Sequence, residues 1–183
     1  MTRILALSGS LRAGSFNTAL ARAAKAKAPD GVMVEVATLQ GIPLYDGDLE
    51  KAAGIPEAVE ALRARILAND GLLLVTPEYN NGMPGVFKNG IDWLSRTPAD
   101  LFAGRPVALM GASPGGFGTI LSQNHWLPVL KALGTELWSG GRLMVSRVNT
   151  LVDGEGELTD AATLDMLATF VAGFAAFVER RNA

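Results

Sequence analysis

Ser10, Arg12, Ser15, Asn17 and Thr18 crowd into one short run, Leu7-Ser-Gly-Ser-Leu-Arg-Ala-Gly-Ser-Phe-Asn-Thr18. The hydroxyls and the amide are neutral hydrogen-bond donors, and Arg12 is a permanent forked cation. An apolar run, Ile4–Leu7, precedes them, and an alanine-rich helical pattern, Ala19–Ala28, follows. The first amides of a helix lack intrahelical acceptors, and the helix dipole draws negative charge to that end. A strand, a polar turn and a helix start therefore make an anion site, here for a phosphate group.

The loop excludes several kinds of phosphate chemistry. Gly9 and Gly14 have the spacing of a Walker loop, but Ser15-Phe16 stands where Lys-Ser/Thr is required. The dinucleotide pattern G-x-G-x-x-G fails because position 11 is Leu, and the second strand closes on Ala37-Thr38 with no acid for a ribose. A phosphatase loop would need a Cys nucleophile, and the chain has no Cys. What remains is a terminal phosphate monoester.

Two further loops are rich in Gly, Pro and polar residues. Pro77-Glu78-Tyr79-Asn80-Asn81-Gly82 is bracketed by Pro77 and Pro84, so its backbone is restrained. Tyr79 could flank a flat ring while Asn80 and backbone amides meet its polar edge. Gly111-Ala112-Ser113-Pro114-Gly115 matches the hydrolase elbow G-x-S-x-G. Yet Pro114 has no N–H for an oxyanion hole, and the only His, His125, follows with no acid between. The elbow match is accidental, and the glycines instead allow close approach to a planar ligand. His125, Trp93 and Trp126 read as packing or interface residues, and a lone His makes no metal site.

The elements that must carry these loops alternate along the chain. Strands are expected at 3–8, 32–37, 71–76, 105–111 and 142–146, and helices at 17–28, 56–68, 84–95, 117–133 and 159–180. The third and fourth strands are nearly continuous in Leu, Val and Ala, as in parallel strands covered on both faces. Such a pattern predicts one domain over residues 1–183, a doubly wound α/β fold with strand order 2-1-3-4-5. In that order the loops after strands 1, 3 and 4 meet in one crevice at the carboxyl ends of the strands.

Composition narrows the partners. The 183 residues are 49% hydrophobic and 19% charged, with net charge −2 and no Cys. Nucleic acid or an anionic membrane finds no electrostatic support, and thiol catalysis and thiolate metal sites are excluded. The opening residues read as a strand rather than a leader, and no apolar run is expected to reach the ~20 residues of a membrane span. The expected location is the cytoplasm.

Taken in order, Gly9-Ser10-Leu11-Arg12-x-x-Ser15-x-Asn17, Pro77-Glu78-Tyr79-Asn80 and Ser113-Pro114-Gly115-Gly116 resemble the NADPH-dependent FMN reductase family. Ile42–Asp46 and Phe87–Trp93 are also similar to segments of that family, so the likeness spans residues 3–150. It implies a flavodoxin-like fold, bound FMN, reduction by NADPH or NADH, and a homodimer or homotetramer. It further implies that Ser10, Arg12, Ser15, Asn17 and Thr18 hold the FMN phosphate. Pro77, Glu78, Tyr79 and Asn80 would line the ribityl chain and ring, and Ser113, Gly115 and Gly116 the ring's other edge. Phe117-Gly118-Thr119-Ile120-Leu121-Ser122-Gln123 departs from the family's usual continuation, with consequences for the acceptor and for subunit contacts.

The expected activity is ping-pong transfer of electrons from NAD(P)H through FMN to quinones, azo compounds, metal oxyanions or free flavin. The flavin carries that chemistry, so no protein nucleophile is required. The alternative is a flavodoxin-type electron carrier, against which the weak net charge of −2 argues.

Overall fold

The computed structural model describes residues 1–97 and 101–182. Six strands form one parallel sheet: β1 (Thr2–Ser8), β2 (Val32–Ala37), β3 (Gly71–Val75), β4 (Pro106–Ala112), β5 (Glu136–Leu137) and β6 (Leu143–Val145). The order is β2-β1-β3-β4-β5, with β6 also pairing β4. This is the expected doubly wound, flavodoxin-like arrangement.

The period of two along a strand explains how both faces are filled. Ile4, Ala6, Leu73, Val75, Ala108 and Met110 face α1 (Phe16–Ala26) and α6 (Ala161–Asn182). Their neighbours Leu5, Leu7, Leu72, Leu74, Val107 and Leu109 face α3 (Glu57–Leu67), α4 (Gly85–Ser95) and α5 (Ile120–Ala132). β3 and β4 are buried along their whole length, which is why they read as unbroken apolar runs. Trp93 and Trp126 are fully buried in the second of these cores rather than at an interface.

The structure departs from the expected elements in four places. A short helix, α2 (Gly47–Ala53), starts from Asp46, whose side chain accepts from the Asp48 amide, and it buries none of its residues. The single strand expected at 142–146 is preceded by a separate piece, β5. The backbone leaves the ladder between the two where Trp138 packs on Phe170 and Phe174, with ring centroids 5.1 and 5.8 Å away. A Cβ on Gly173 of α6 would lie 2.9 Å from that indole, so the bare glycine makes its seat. Helix α5 starts at Ile120, later than expected, because Gly118 is left-handed (φ 62°) and cannot continue a helix. Finally, α6 is long and apolar enough to cross a membrane by length and composition. Its Leu167, Phe170, Val171, Phe174 and Val178 stripe is nevertheless buried against the sheet.

Candidate functional site

Parallel neighbours deliver the chain after β1, β3 and β4 to the same side of the sheet, and these three loops enclose a cavity of about 200 Å³. From the first loop, Ser10, Arg12, Ser15 and Asn17 line it. The second contributes Pro77, Glu78 and Tyr79, and the third Ser113. Thr18, Asn80, Gly115 and Gly116 are not among its walls. Phe16, Ala112 and Pro114 are wall residues that sequence reasoning did not place in the site, because none has a polar side chain to mark it.

The first loop is built as a helix cap. Ser15 is the N-cap of α1, and its Oγ accepts from the Thr18 amide at 3.3 Å. The amides of Phe16 and Asn17 have no acceptor among the described residues, as the start of a helix dictates. The guanidinium of Arg12 lies over the Phe16 ring, 5.2 Å from its centroid, with no carboxylate partner among the described residues. Ser10 accepts the Arg12 amide at 3.4 Å, which leaves its own O–H to donate. By contrast, the Thr18 hydroxyl is turned to Ser8 Oγ, 2.8 Å away.

The second loop is a tight hairpin turn. Tyr79 and Gly82 exchange backbone bonds of 3.1 and 3.0 Å, and Asn80 and Asn81 between them have φ of 49° and 62°. Such a turn needs positive φ at both central positions, and Asn tolerates this better than other residues with a Cβ. The Tyr79 ring is left about half exposed at the cavity rim. His125 packs beside the turn: a Cβ on Gly82 would lie 3.6 Å from its Nδ1. Glu78 turns its carboxylate onto α5, where Oε2 accepts from the Leu121 and Ser122 amides at 2.9 and 3.0 Å.

In the third loop, Ser113 Oγ accepts from the Gly115 amide at 3.1 Å. The Ser113 amide bonds Val145 and its carbonyl receives the Val148 amide. Ser113 is thus held in its own turn, and the one His of the chain sits on the Gly82 turn instead, so no hydrolase triad forms. Just before it, a Cβ on Gly111 would overlap the Thr76 carbonyl and the Thr119 side chain. Only glycine lets the exits of β3 and β4 come this close. Asn17 then closes the site by bonding the backbone of Ala112 through both ends of its amide.

A larger cavity, of about 560 Å³, opens where β5 and β6 separate, against Trp138, Arg142, Met166 and Phe170. Size would favour it, but chemistry does not. None of the expected donors line it, and Arg142 is already bonded to Asn124 Oδ1 at 3.0 Å. The loop cavity has instead an unpaired cation, two open amides and two serine hydroxyls gathered at one end. That set fits the phosphate of FMN.

Fold and site together define a flavodoxin-like α/β protein with a polar loop cavity at the strand switch point. Residues 2–150 match the model of the NADPH-dependent FMN reductase family, and the chain belongs to that family. An NAD(P)H-dependent FMN reductase of Pseudomonas aeruginosa is 42% identical to it over 90% of this chain and 89% of its own. A quinone reductase of Escherichia coli is 39% identical over 97% and 96% respectively. Among solved structures, the flavoenzyme NAD(P)H:(acceptor) oxidoreductase FerB of Paracoccus denitrificans superposes with a TM-score of 0.84. It is 31% identical, and 99% of both chains is covered.

Proposed function

We infer that this chain is an FMN-dependent NAD(P)H oxidoreductase that passes electrons to small acceptors: quinones, azo compounds, metal oxyanions or free flavin. The observation that carries the reading is the convergence of the three loops on one cavity, lined by Arg12, Ser10, Ser15 and the open amides of Phe16 and Asn17. FMN, when bound, supplies the redox chemistry, taking two electrons from the nicotinamide and passing them on. The protein binds and orients. Ser10, Arg12, Ser15 and the amides of Phe16 and Asn17 would hold the phosphate. The rigid turn at 77–82 and the loop at 113–116 would border the ring. One shared cavity mouth favours ping-pong order, in which donor and acceptor occupy the ring face in turn.

The test is spectroscopic and kinetic. Purified protein is expected to release FMN rather than FAD on heating, and anaerobic NAD(P)H alone is expected to bleach the bound flavin. With a quinone as acceptor, double-reciprocal plots should be parallel. Protein that neither contains nor binds FMN defeats the reading, and bound FMN that NAD(P)H cannot bleach makes the chain a carrier.

We place the enzyme in the cytoplasm, where NAD(P)H is available, and propose a homodimer or homotetramer. Leu44, 82% exposed, and the partly exposed Tyr45 and Leu49 support self-association, because α2 beside them buries nothing in its own subunit. Light scattering that gives a monomer at micromolar concentration would remove that part of the proposal.

A further inference from the structure

Glu78 is the only acidic side chain lining the flavin cavity among the described residues. An acid there is costly at first sight. The ligand is an anion, and a flavin taking up electrons gains negative charge. The hydrogen bonds explain the choice of residue. The N-cap of helix α5 is Thr119, which makes no side-chain cap bond of its own. Its first-turn amides at Leu121 and Ser122 are capped by Glu78 Oε2, a residue 43 and 44 positions earlier in the chain. The positive end of a helix of thirteen residues is thereby met by a full negative charge at the cavity wall.

The same bonds tie two loops together. Glu78 belongs to the turn after β3, and α5 follows directly on the loop after β4. A second link lies just behind, where Thr76 Oγ1 and Ser122 Oγ meet at 2.8 Å and Thr76 Oγ1 accepts from the Trp126 indole at 3.0 Å, all buried. Ser122 is thus held by Glu78 through its amide and by Thr76 through its hydroxyl. The carboxylate sets the separation of the two walls between which the ring would lie.

Resting on the FMN reading above, we propose that Glu78 is a positioning residue that also sets the reduction potential. Its side chain caps α5, so it orients the backbone of residues 77–82 toward the flavin. The charge it places there cancels the helix pole and keeps the flavin harder to reduce than a bare helix terminus would.

Glu78→Gln and Glu78→Ala separate the two roles. Gln keeps an oxygen that can accept from Leu121 and Ser122 but removes the charge. The FMN-free Gln variant is expected to fold and to melt only slightly below the wild type, since a neutral acceptor caps a helix less strongly, and to bind oxidised FMN at least as tightly. Its bound flavin should shift toward the reduced form by about tenfold, roughly 30 mV for a two-electron couple, read against reference dyes. Ala removes cap and charge together, so its potential should rise as well, and its affinity for oxidised FMN should fall about tenfold. A Gln variant with the wild-type potential overturns the electrostatic role, and an Ala variant with wild-type FMN affinity overturns the positioning role. A wild-type protein that binds no FMN removes the function proposed above and this inference with it.

Discussion

The side-chain amide of Asn17 and the backbone of Ala112, ninety-five residues apart in sequence, exchange two hydrogen bonds of 2.9 Å each. Asn17 Nδ2 donates to the Ala112 carbonyl, and Oδ1 accepts from the Ala112 amide. β3 has ended at Val75 and can no longer pair there, so the side chain does for the last residue of β4 what another strand residue would do. The start of α1 is fastened to the end of β4 across the floor of the cavity.

Asn17→Ala would leave a buried amide and a buried carbonyl of Ala112 unpaired. The expected loss is about 1–3 kcal/mol of stability in the FMN-free protein, read by urea denaturation. FMN affinity should fall as well, since the first and third loops are no longer moored together. Unchanged denaturation midpoints for the FMN-free variant would show that water replaces both bonds at no cost.

Arg12 behaves differently, because its guanidinium rests on the Phe16 ring and has no carboxylate partner among the described residues. Arg12→Ala is expected to weaken FMN binding by roughly 1.5–3 kcal/mol, or about 10- to 150-fold, as loss of a charged donor to phosphate should. Stability without FMN should stay near wild type. Fluorescence titration with FMN checks the first expectation and thermal melting the second. An unaltered affinity would mean that the guanidinium stays on the Phe16 ring and never reaches the phosphate.

Gly111→Ala tests how closely β3 and β4 must approach at the site. The added methyl meets the backbone carbonyl of Thr76, which cannot swing aside as a long side chain could. Overpacking of this kind costs about 1–3 kcal/mol, and here it would also push the second and third loops apart. The denaturation midpoint and FMN affinity should both drop. A variant that loses neither would place slack where the structure shows contact.

Acid should weaken the fold through two carboxylates away from the cavity. Burial alone would raise the Glu35 carboxyl, but hydrogen bonds from Arg65 and Asn69 at 2.6 and 3.2 Å, with the charges of Arg65 and Arg3, bring it below its ordinary 4.5. Asp160 is held below 3.8 by the hydroxyl and amide of Thr163, at 2.7 and 2.8 Å. A carboxyl lowered on folding adds stability that is whole above its unfolded value and drains away as pH falls through the folded one. The double variant Glu35→Gln, Asp160→Asn should therefore melt below wild type at pH 7, and the gap should close as the pH drops below those values. A gap that persists in strong acid would assign the effect to lost packing rather than charge.

What could be read from the sequence is what repeats locally or has a strong local signature. Ile4–Leu7 and the unbroken β3 and β4 marked the sheet, and the polar loops after them marked the crevice. α2 was illegible because a helix that buries nothing shows no apolar period. The break between β5 and β6 depends on Trp138 finding Gly173 on a helix far along the chain. Asn17 and Glu78 were visible as polar residues of the site, but their side chains bond Ala112 and α5. A residue type shows what a side chain can bond, whereas the partner is settled by the tertiary fold.

The ties from Asn17 to Ala112 and from Glu78 to α5 also say when the site comes into being. Parallel neighbours join only after a crossover, so such pairings form late and at an entropic cost. A chain emerging from the ribosome has the phosphate loop early but no floor beneath it until β4 has docked, and no anchor for Glu78 until α5 has followed. The complete cavity thus exists only once β4 and α5 have docked, after most of the domain has formed.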